Sequence, residues 1–257
     1  MTNEAAYREY TPPTALREDI ECFWEACSSS SIDEPQRVLP DGCVDIIFDL
    51  TAGTAQVVGT MTRAILAPRD GSRLFAVRFR AGAAVQFLAM PIHEITDVAV
   101  PLQEIWPQGG QLAELFSAEQ GQGTAALVAD FADALLQRKD AVSQAAHTDS
   151  HFLTCSIVRS LASQFTDVSV YDLSKRFAVS RQHLTRQFKH AVGISPKQFQ
   201  RVARLRRLVD LAWQMPGKDS AKHRWAELAL HCGYYDQSHM IADFKDLCGI
   251  TPAAYFD

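Results

Sequence analysis

A twelve-residue pattern occurs twice in this chain, 56 positions apart. The first copy reads Phe188-Lys189, three residues, Gly193-Ile194-Ser195-Pro196, two residues, Phe199. The second reads Phe244-Lys245, three residues, Gly249-Ile250-Thr251-Pro252, two residues, Tyr255. Each copy carries the signals of one helix stopping at Gly and the next starting at a Ser/Thr cap with Pro behind it. The end of the chain is therefore constrained to build two equal helical units. Such a pair suits a partner with its own repeat, for which duplex DNA is the obvious candidate.

Charge divides the chain in the same way. Residues 1–150 hold 10 Lys and Arg against 21 Asp and Glu, a net of −11; residues 151–257 hold 15 against 9, a net of +6. The overall −5 hides an acidic half joined to a basic one, and only the basic half is expected to meet a polyanion. With 257 residues, 47% of them hydrophobic, the chain has enough material for two ordinary domains. No run approaches ~18 apolar residues, so no membrane partner is expected. Residues 1–10 are polar and lack the apolar core of a signal peptide. The six cysteines form no CxxC pair and read as reduced thiols of a cytoplasmic protein. A zinc site from Cys22, Cys27 and Cys43 is disfavoured, and no metal or cofactor is expected.

The fold class read from these patterns is α+β: a β-rich N-terminal domain with trailing helices, then an all-α domain of two helix-turn-helix units joined by a long helix. Strands are expected at 44–50, 56–61 and 75–80. In the last, Phe75, Val77 and Phe79 alternate with Ala76, Arg78 and Arg80, the period of a half-buried strand. Helices are expected near 110–119 and 124–138. The apolar stripe of the second, at Ala125, Val128, Ala132, Leu135 and Leu136, either mediates a homodimer or packs on the sheet. The domain limits are 1–140 for a sensor or regulatory domain, 141–150 for a linker and 151–257 for the helical domain. Within the last, Phe152 to Phe165 opens, Ser169 and Ser180 cap the next two helices, and Pro196 to Met215 is the long one. Phe199, Val202, Leu205, Val209, Ala212 and Trp213 form its stripe. Trp225 to Cys232, Asp236 to Cys248 and Thr251 to Phe256 complete the second unit.

In each unit the second of the two helices would be the reader. Leu184, Phe188 and Ala191 form the core face of the first. Arg181, Gln182, Thr185, Arg186 and Lys189 share its outward face. Arg pairs with guanine edges and Gln with adenine, while Lys189 near the far end suits a phosphate. A shift of 56 gives Asp236 as the second cap, Met240, Phe244 and Leu247 as core, and Gln237, Ser238, Ile241, Ala242 and Lys245 as outward residues. This face is poorer in donors, so the first unit is expected to supply most of the specificity. The joining helix, 20 residues at ~1.5 Å each, is roughly 30 Å long, close to the ~34 Å between successive major grooves on one side of a duplex.

At these residues the chain resembles the AraC/XylS family of transcription regulators. The resemblance covers about 155–257. It rests on both Phe-Lys…Gly-Ile-[Ser/Thr]-Pro strings, the long joining helix, and Cys232-Gly233-Tyr234-Tyr235-Asp236-Gln237-Ser238-His239. It implies base reading by Arg181, Gln182, Thr185 and Arg186 in the first unit and by Gln237, Ser238 and His239 in the second. Lys189 and Lys245 lie on the phosphate side. The implied partner is double-stranded promoter DNA, often beside RNA polymerase. One position departs: the family commonly has Arg where this chain has Ala242. Residues 38–48 and 75–83 resemble sensor domains of such regulators, which are β-rich and sometimes cupin-like, and this implies control by a small-molecule effector or a partner.

The effector candidates are Asp45, Arg78 and Arg80. If the strand face of Arg78 and Arg80 lines a pocket, two guanidiniums would select a carboxylate or phosphate; if it faces water, they are surface charges. Asp45 and Asp49 share a face and can pair with those arginines. Asp41-Gly42 reads as a turn, and Trp24 and Trp106 as core or pocket wall. No nucleophile triad, phosphate loop or metal spacing points to catalysis, so the chain is not expected to be an enzyme. The alternative is a DNA-binding unit fused to a reactive-Cys alkyl-acceptor or enzymatic N-terminal domain. The acidic neighbours of Cys22, Cys27 and Cys43 argue against the lowered thiol pKa it needs.

Overall fold

The computed structural model describes residues 6–27, 35–68, 70–118, 123–145, 150–163, 169–214 and 224–256. Strands β1 (Ala6–Tyr10), β2 (Ile20–Cys27), β4 (Val44–Asp49), β5 (Thr54–Val58), β7 (Arg73–Phe79) and β8 (Ala99–Pro101) form one antiparallel sheet in the order β1-β2-β7-β4-β5-β8. Strands β3 (Gln36–Val38) and β6 (Ile65–Ala67) pair separately as a short ribbon.

The alternation in β7 and β4 assigns the two faces of the sheet. Phe75, Val77 and Phe79 join Val44, Ile46, Phe48 and Phe23 in one buried core. That face is covered by helices α3 (Gly109–Ala118) and α4 (Thr124–Ala145) through Phe116, Leu127, Phe131 and Leu135. The Phe48 ring meets those of Phe131 and Phe116 edge-on at 4.8 and 5.0 Å, a favoured aromatic geometry. The apolar stripe of α4 therefore packs on the sheet. It is also turned from the expected line: Leu127 and Phe131 are buried, while Ala125 is exposed. Helix α4 runs on through Ala145, past the expected end at 138, so 141–145 of the expected linker are helical and 146–149 lie outside the described residues. The short helices α1 (Val85–Leu88) and α2 (Leu102–Ile105) lie between β7 and α3 along the chain.

The basic half is helical as expected: α5 (Ser150–Ser163), α6 (Val170–Arg176), α7 (Arg181–Val192), α8 (Pro196–Gln214), α9 (Trp225–His231), α10 (Gln237–Cys248) and α11 (Pro252–Phe256). Leu184, Phe188, Val192, Ile194, Phe199 and Val202 belong to the core of the first unit. Leu205, Leu208, Trp225, Met240, Phe244 and Phe256 belong to that of the second. Helix α8 serves both cores; Leu208 is fully buried, whereas Trp213, expected on the buried stripe, is 58% exposed with its ring 5.2 Å from that of Phe256.

Phe48→Ala would leave a void where four phenylalanine rings converge. It is expected to cost about 3–5 kcal/mol, read as a lowered urea midpoint with the m-value unchanged.

Candidate nucleic-acid interface and the cavity behind it

The two copies of the pattern fold into the same local structure. Ser180 and Asp236 cap the reader helices by accepting from the backbone N–H of His183 at 3.1 Å and of His239 at 2.7 Å. At the other end Gly193 (φ +94°) and Gly249 (φ +76°) turn the chain in a conformation that side chains with a Cβ rarely adopt. Their N–H groups close onto Lys189 O at 3.0 Å and Lys245 O at 2.9 Å. Ser195 and Gln198 then exchange bonds of 3.0 and 3.3 Å, a reciprocal cap that starts α8, and Thr251 accepts from Ala254 N at 3.3 Å to start α11.

Between these caps the candidate readers have one buried and one open face. In α7, Leu184, Phe188 and Ala191 are buried; Arg181, Gln182, Arg186 and Lys189 are exposed, with Thr185 half-buried beside them. In α10, Met240, Phe244 and Leu247 are buried, and Gln237, Ser238, His239, Ala242 and Lys245 are exposed, with Ile241 half-buried. The His239 ring is turned back on its own turn: Nδ1 accepts from Tyr235 N at 3.4 Å, and the ring lies 5.5 Å from that of Tyr234. Tyr235, 85% exposed just ahead of the second reader, is a residue that the sequence pattern included without assigning it a role.

The arginines of α8 hold the helical half together. Arg201 reaches across to α10, donating to Asp243 at 2.6 Å and Asp246 at 2.5 Å. Asp243 is buried, so this pair fixes the second reader against the joining helix at a site where losing the cation would strand a charge. Arg204 lies over the Tyr234 ring at 5.2 Å, and Arg207 donates to Ala162 O at 2.8 Å.

The N-terminal domain binds the ends of both readers. A helix leaves its last carbonyls without partners of its own. Here Thr60 Oγ1 donates to Val192 O at 2.6 Å and Thr96 Oγ1 to Gly193 O at 3.0 Å. At the second reader Ala64 N donates to Leu247 O at 2.7 Å and Arg37 to Cys248 O at 2.7 Å. Val192 and Cys248 are equivalent positions of the repeat. Arg63 adds an ion pair to Asp246 at 3.1 Å. Gly42 (φ +79°) lies so near the start of α8 that a Cβ there would come within 2.8 Å of the Phe199 ring. None of these contacts has a local sequence pattern.

Between the second face of the sheet, the β3–β6 ribbon and α8 lies a cavity of about 1320 Å³. Of the effector candidates, Asp45 and Arg78 meet on its wall, Arg78 reaching Asp45 at 3.2 Å and Asp41 at 3.2 Å. Trp24 Nε1 donates to Asp45 at 3.3 Å. Arg80 departs from the expected strand face. It lies one residue beyond β7, where its Nε donates to Arg17 O at 3.0 Å, and it is not among the lining residues. Asp49 caps the following turn, accepting from Thr51 N and Ala52 N, and among the described residues it pairs with no arginine. Trp24 is a cavity wall, whereas Trp106 lies in the core with Arg138 over its ring at 5.6 Å.

Burial pushes Asp45 up to about 6, with Asp41 adding to it and Arg78 and the Trp24 N–H opposing. Burial also opposes the charge on Arg78, yet Asp45 and Asp41 hold it firmly protonated. Glu21 is held low despite its burial, because Arg206 of α8 bonds to it at 2.8 Å. The thiols of Cys43 and Cys22 are pushed up by burial and by the carboxylates around them, Cys22 to about 12. A nucleophilic thiolate needs the opposite shift.

Comparison with known proteins divides the chain at the same place. Residues 8–101 match a family described as "Domain of unknown function (DUF6597)", and residues 173–257 match one described as "Helix-turn-helix domain". No curated protein matches the chain. Among solved structures, ToxT from Vibrio cholerae O395 is 12% identical, with 99% of this chain and 98% of that one covered and a TM-score of 0.44. ToxT bound to (E)-4-(8-methylnaphthalen-1-yl)but-3-enoic acid is 9% identical over 98% and 97%, with a TM-score of 0.44. Unsaturated fatty acid bound ToxT from strain SCE256 is 13% identical over 100% and 96%, with a TM-score of 0.40. The paired caps, the two open reader faces and the family match agree that residues 173–257 form a helix-turn-helix domain, carried behind a β-rich one.

Proposed function

We propose that the protein reads two adjacent major-groove segments of promoter DNA with α7 and α10, under control of a small molecule held in the N-terminal domain. The observation that carries this reading is the repeat itself, two readers of one build presenting polar faces from a single stiff helix. Helix α8 has 19 residues, about 28 Å at 1.5 Å each, so one chain can span successive grooves. Arg181, Gln182, Thr185 and Arg186 supply most of the base contacts. Gln237, Ser238 and His239 supply fewer, and Lys189 and Lys245 meet phosphates. Ala242 offers only a methyl, which suits a thymine and cannot pair with a base edge.

Control follows from what the N-terminal domain touches. It holds the C-terminal carbonyls of both readers and lines its cavity with Leu205, Arg206 and Val209 of the helix between them. A ligand that shifts α8 in the cavity shifts the frame on which both readers sit. RNA polymerase and a second copy of the chain are further partners that this reading accommodates.

Selection from random duplex DNA should recover two short blocks about one helical turn apart. Arg186→Ala should lose one block and weaken binding to the selected site by about 5- to 150-fold, the equivalent of ~1–3 kcal/mol. Recovery of the same motif by wild type and variant would refute the assignment. Lys189→Ala should instead weaken all sequences alike and reduce the salt slope by about one. Thr60→Val combined with Arg37→Ala removes one bond at each reader end. Because the domain so loosened is acidic, the double variant should bind DNA about 5- to 20-fold tighter by fluorescence anisotropy, at ~1 kcal/mol per bond. Weaker binding would mean that these contacts preset the readers for DNA.

A further inference from the structure

The cavity walls are more informative about the ligand than the two arginines suggest on their own. At about 1320 Å³ the space accommodates a drug-sized molecule. Its apolar surface comes from Trp24, Ile47, Val58 and Leu74 on the sheet and from Leu205 and Val209 on α8. Tyr7 packs beside Trp24 with ring centroids 5.9 Å apart, giving an aromatic wall. Among the described lining residues the carboxylates are Asp41, Asp45, Asp49, Asp70, Glu114 and Asp210, against the guanidiniums of Arg37, Arg78 and Arg206 and no lysine or histidine.

All three guanidiniums are engaged. Arg78 lies between Asp41 and Asp45, each at 3.2 Å. Arg206 bonds to Glu21 at 2.8 Å and to Asp41 O at 3.3 Å. Arg37 bonds to Cys248 O at 2.7 Å. An incoming carboxylate would therefore have to displace an existing partner beside Asp41 and Asp45. A cation would instead meet those two carboxylates, which keep acceptor sites beyond the bonds to Arg78 and Trp24. Around Arg78 and Arg206 stand Glu21, Asp41 and Asp45, three carboxylates for two cations.

We propose that this cavity takes an organic cation: an apolar or aromatic body lies against Trp24 and the aliphatic wall, and an ammonium or amidinium head bonds to Asp45 beside Arg78. The aromatic wall adds an attraction for positive charge that it does not offer an anion. The inference rests on the reading of the N-terminal domain as an effector domain and supplies its ligand class. It replaces the acidic ligand that Arg78 and Arg80 together would have selected, since Arg80 lies outside the cavity and Arg78 is already neutralised.

The test uses two probes with one body and opposite heads, 4-phenylbutylamine and 4-phenylbutyrate, titrated calorimetrically into the full-length protein near neutral pH. The amine should bind at least tenfold more tightly. Asp45→Asn should weaken it about 10- to 100-fold, the range for a hydrogen bond to a charged group. A second variant, Glu114→Gln with Asp210→Asn, changes two exposed rim carboxylates, so the fold is retained, and it should weaken the amine about threefold at low salt. Equal or tighter binding of the carboxylate, amine binding indifferent to both variants, or no binding of either probe at a few millimolar would each overturn the inference. DNA selection without ligand reports separately on the regulator reading. If the carboxylate alone binds and changes DNA affinity, the effector reading survives and the cationic class does not.

Discussion

The last carbonyls of a helix need partners from outside it, and in this protein that need joins the two domains. Val192 O and Cys248 O occupy equivalent places in the two halves of the repeat, and both are satisfied by the N-terminal domain, through Thr60 and Arg37. Together with Thr96 to Gly193 O and Ala64 N to Leu247 O, these bonds attach one β-rich body to the same end of each reader. Each bond is worth only ~1 kcal/mol, but a buried carbonyl left bare costs ~1–3. Separation of the domains must therefore bring water to these groups. The reader ends can exchange partners with little net cost, a property suited to an interface that opens and closes.

The charges behind this interface are arranged less symmetrically. Arg206 connects α8 to Glu21 on β2, and Arg78 connects β7 to Asp45 on β4 and to Asp41 in the turn before it. Asp41 participates in both groups, its side chain with Arg78 and its carbonyl with Arg206. The cavity wall and the joining helix thus share one network. Such networks tolerate the loss of a partner poorly, because the remaining charge is partly shielded from water. A ligand that alters the balance near Asp45 acts on a network that reaches α8 through Arg78, Asp41 and Arg206.

Local signals made the helical half legible to within a residue or two. Ser180, Asp236, Gly193 and Gly249 act where they stand in the sequence, through bonds spanning three or four residues. The sheet was only partly legible. Strands β4, β5 and β7 show alternation or apolar runs. In β2 that pattern is broken by Glu21 and Glu25 and by a register shift between Ile20 and Cys22. Strands β3 and β6 have three residues each, too few to show a period. Trp213 fits the periodicity of α8 yet is exposed, while Leu208, outside the expected stripe, is buried. The domain interface was not legible at all. Thr60 and Val192 are 132 positions apart, Arg37 and Cys248 are 211, and no local pattern connects residues at that distance. The alternation of β7 points to Arg78, but nothing local pairs it with Asp41, whose place beside it depends on how the turn at Gly42 folds back.

Helix α8 is the element through which a change in the cavity can reach DNA. One face carries Leu205, Arg206 and Val209 into the cavity, while Arg201 binds Asp243 and Asp246 on the second reader, and Phe199 lies in the core of the first. A ligand can shift an equilibrium only by as much as it distinguishes the two states. Contact with α8 in the cavity supplies that difference, because the contact is lost if the helical half moves away. The reader-end bonds supply the second requirement, discrete arrangements in place of a continuous give: a carbonyl is bound either by its threonine or arginine or by water. The charge split works in the same direction, since release of the readers also carries a net −11 domain away from the phosphates. Control of DNA binding can then be exerted through small movements of one helix, without remodelling either core.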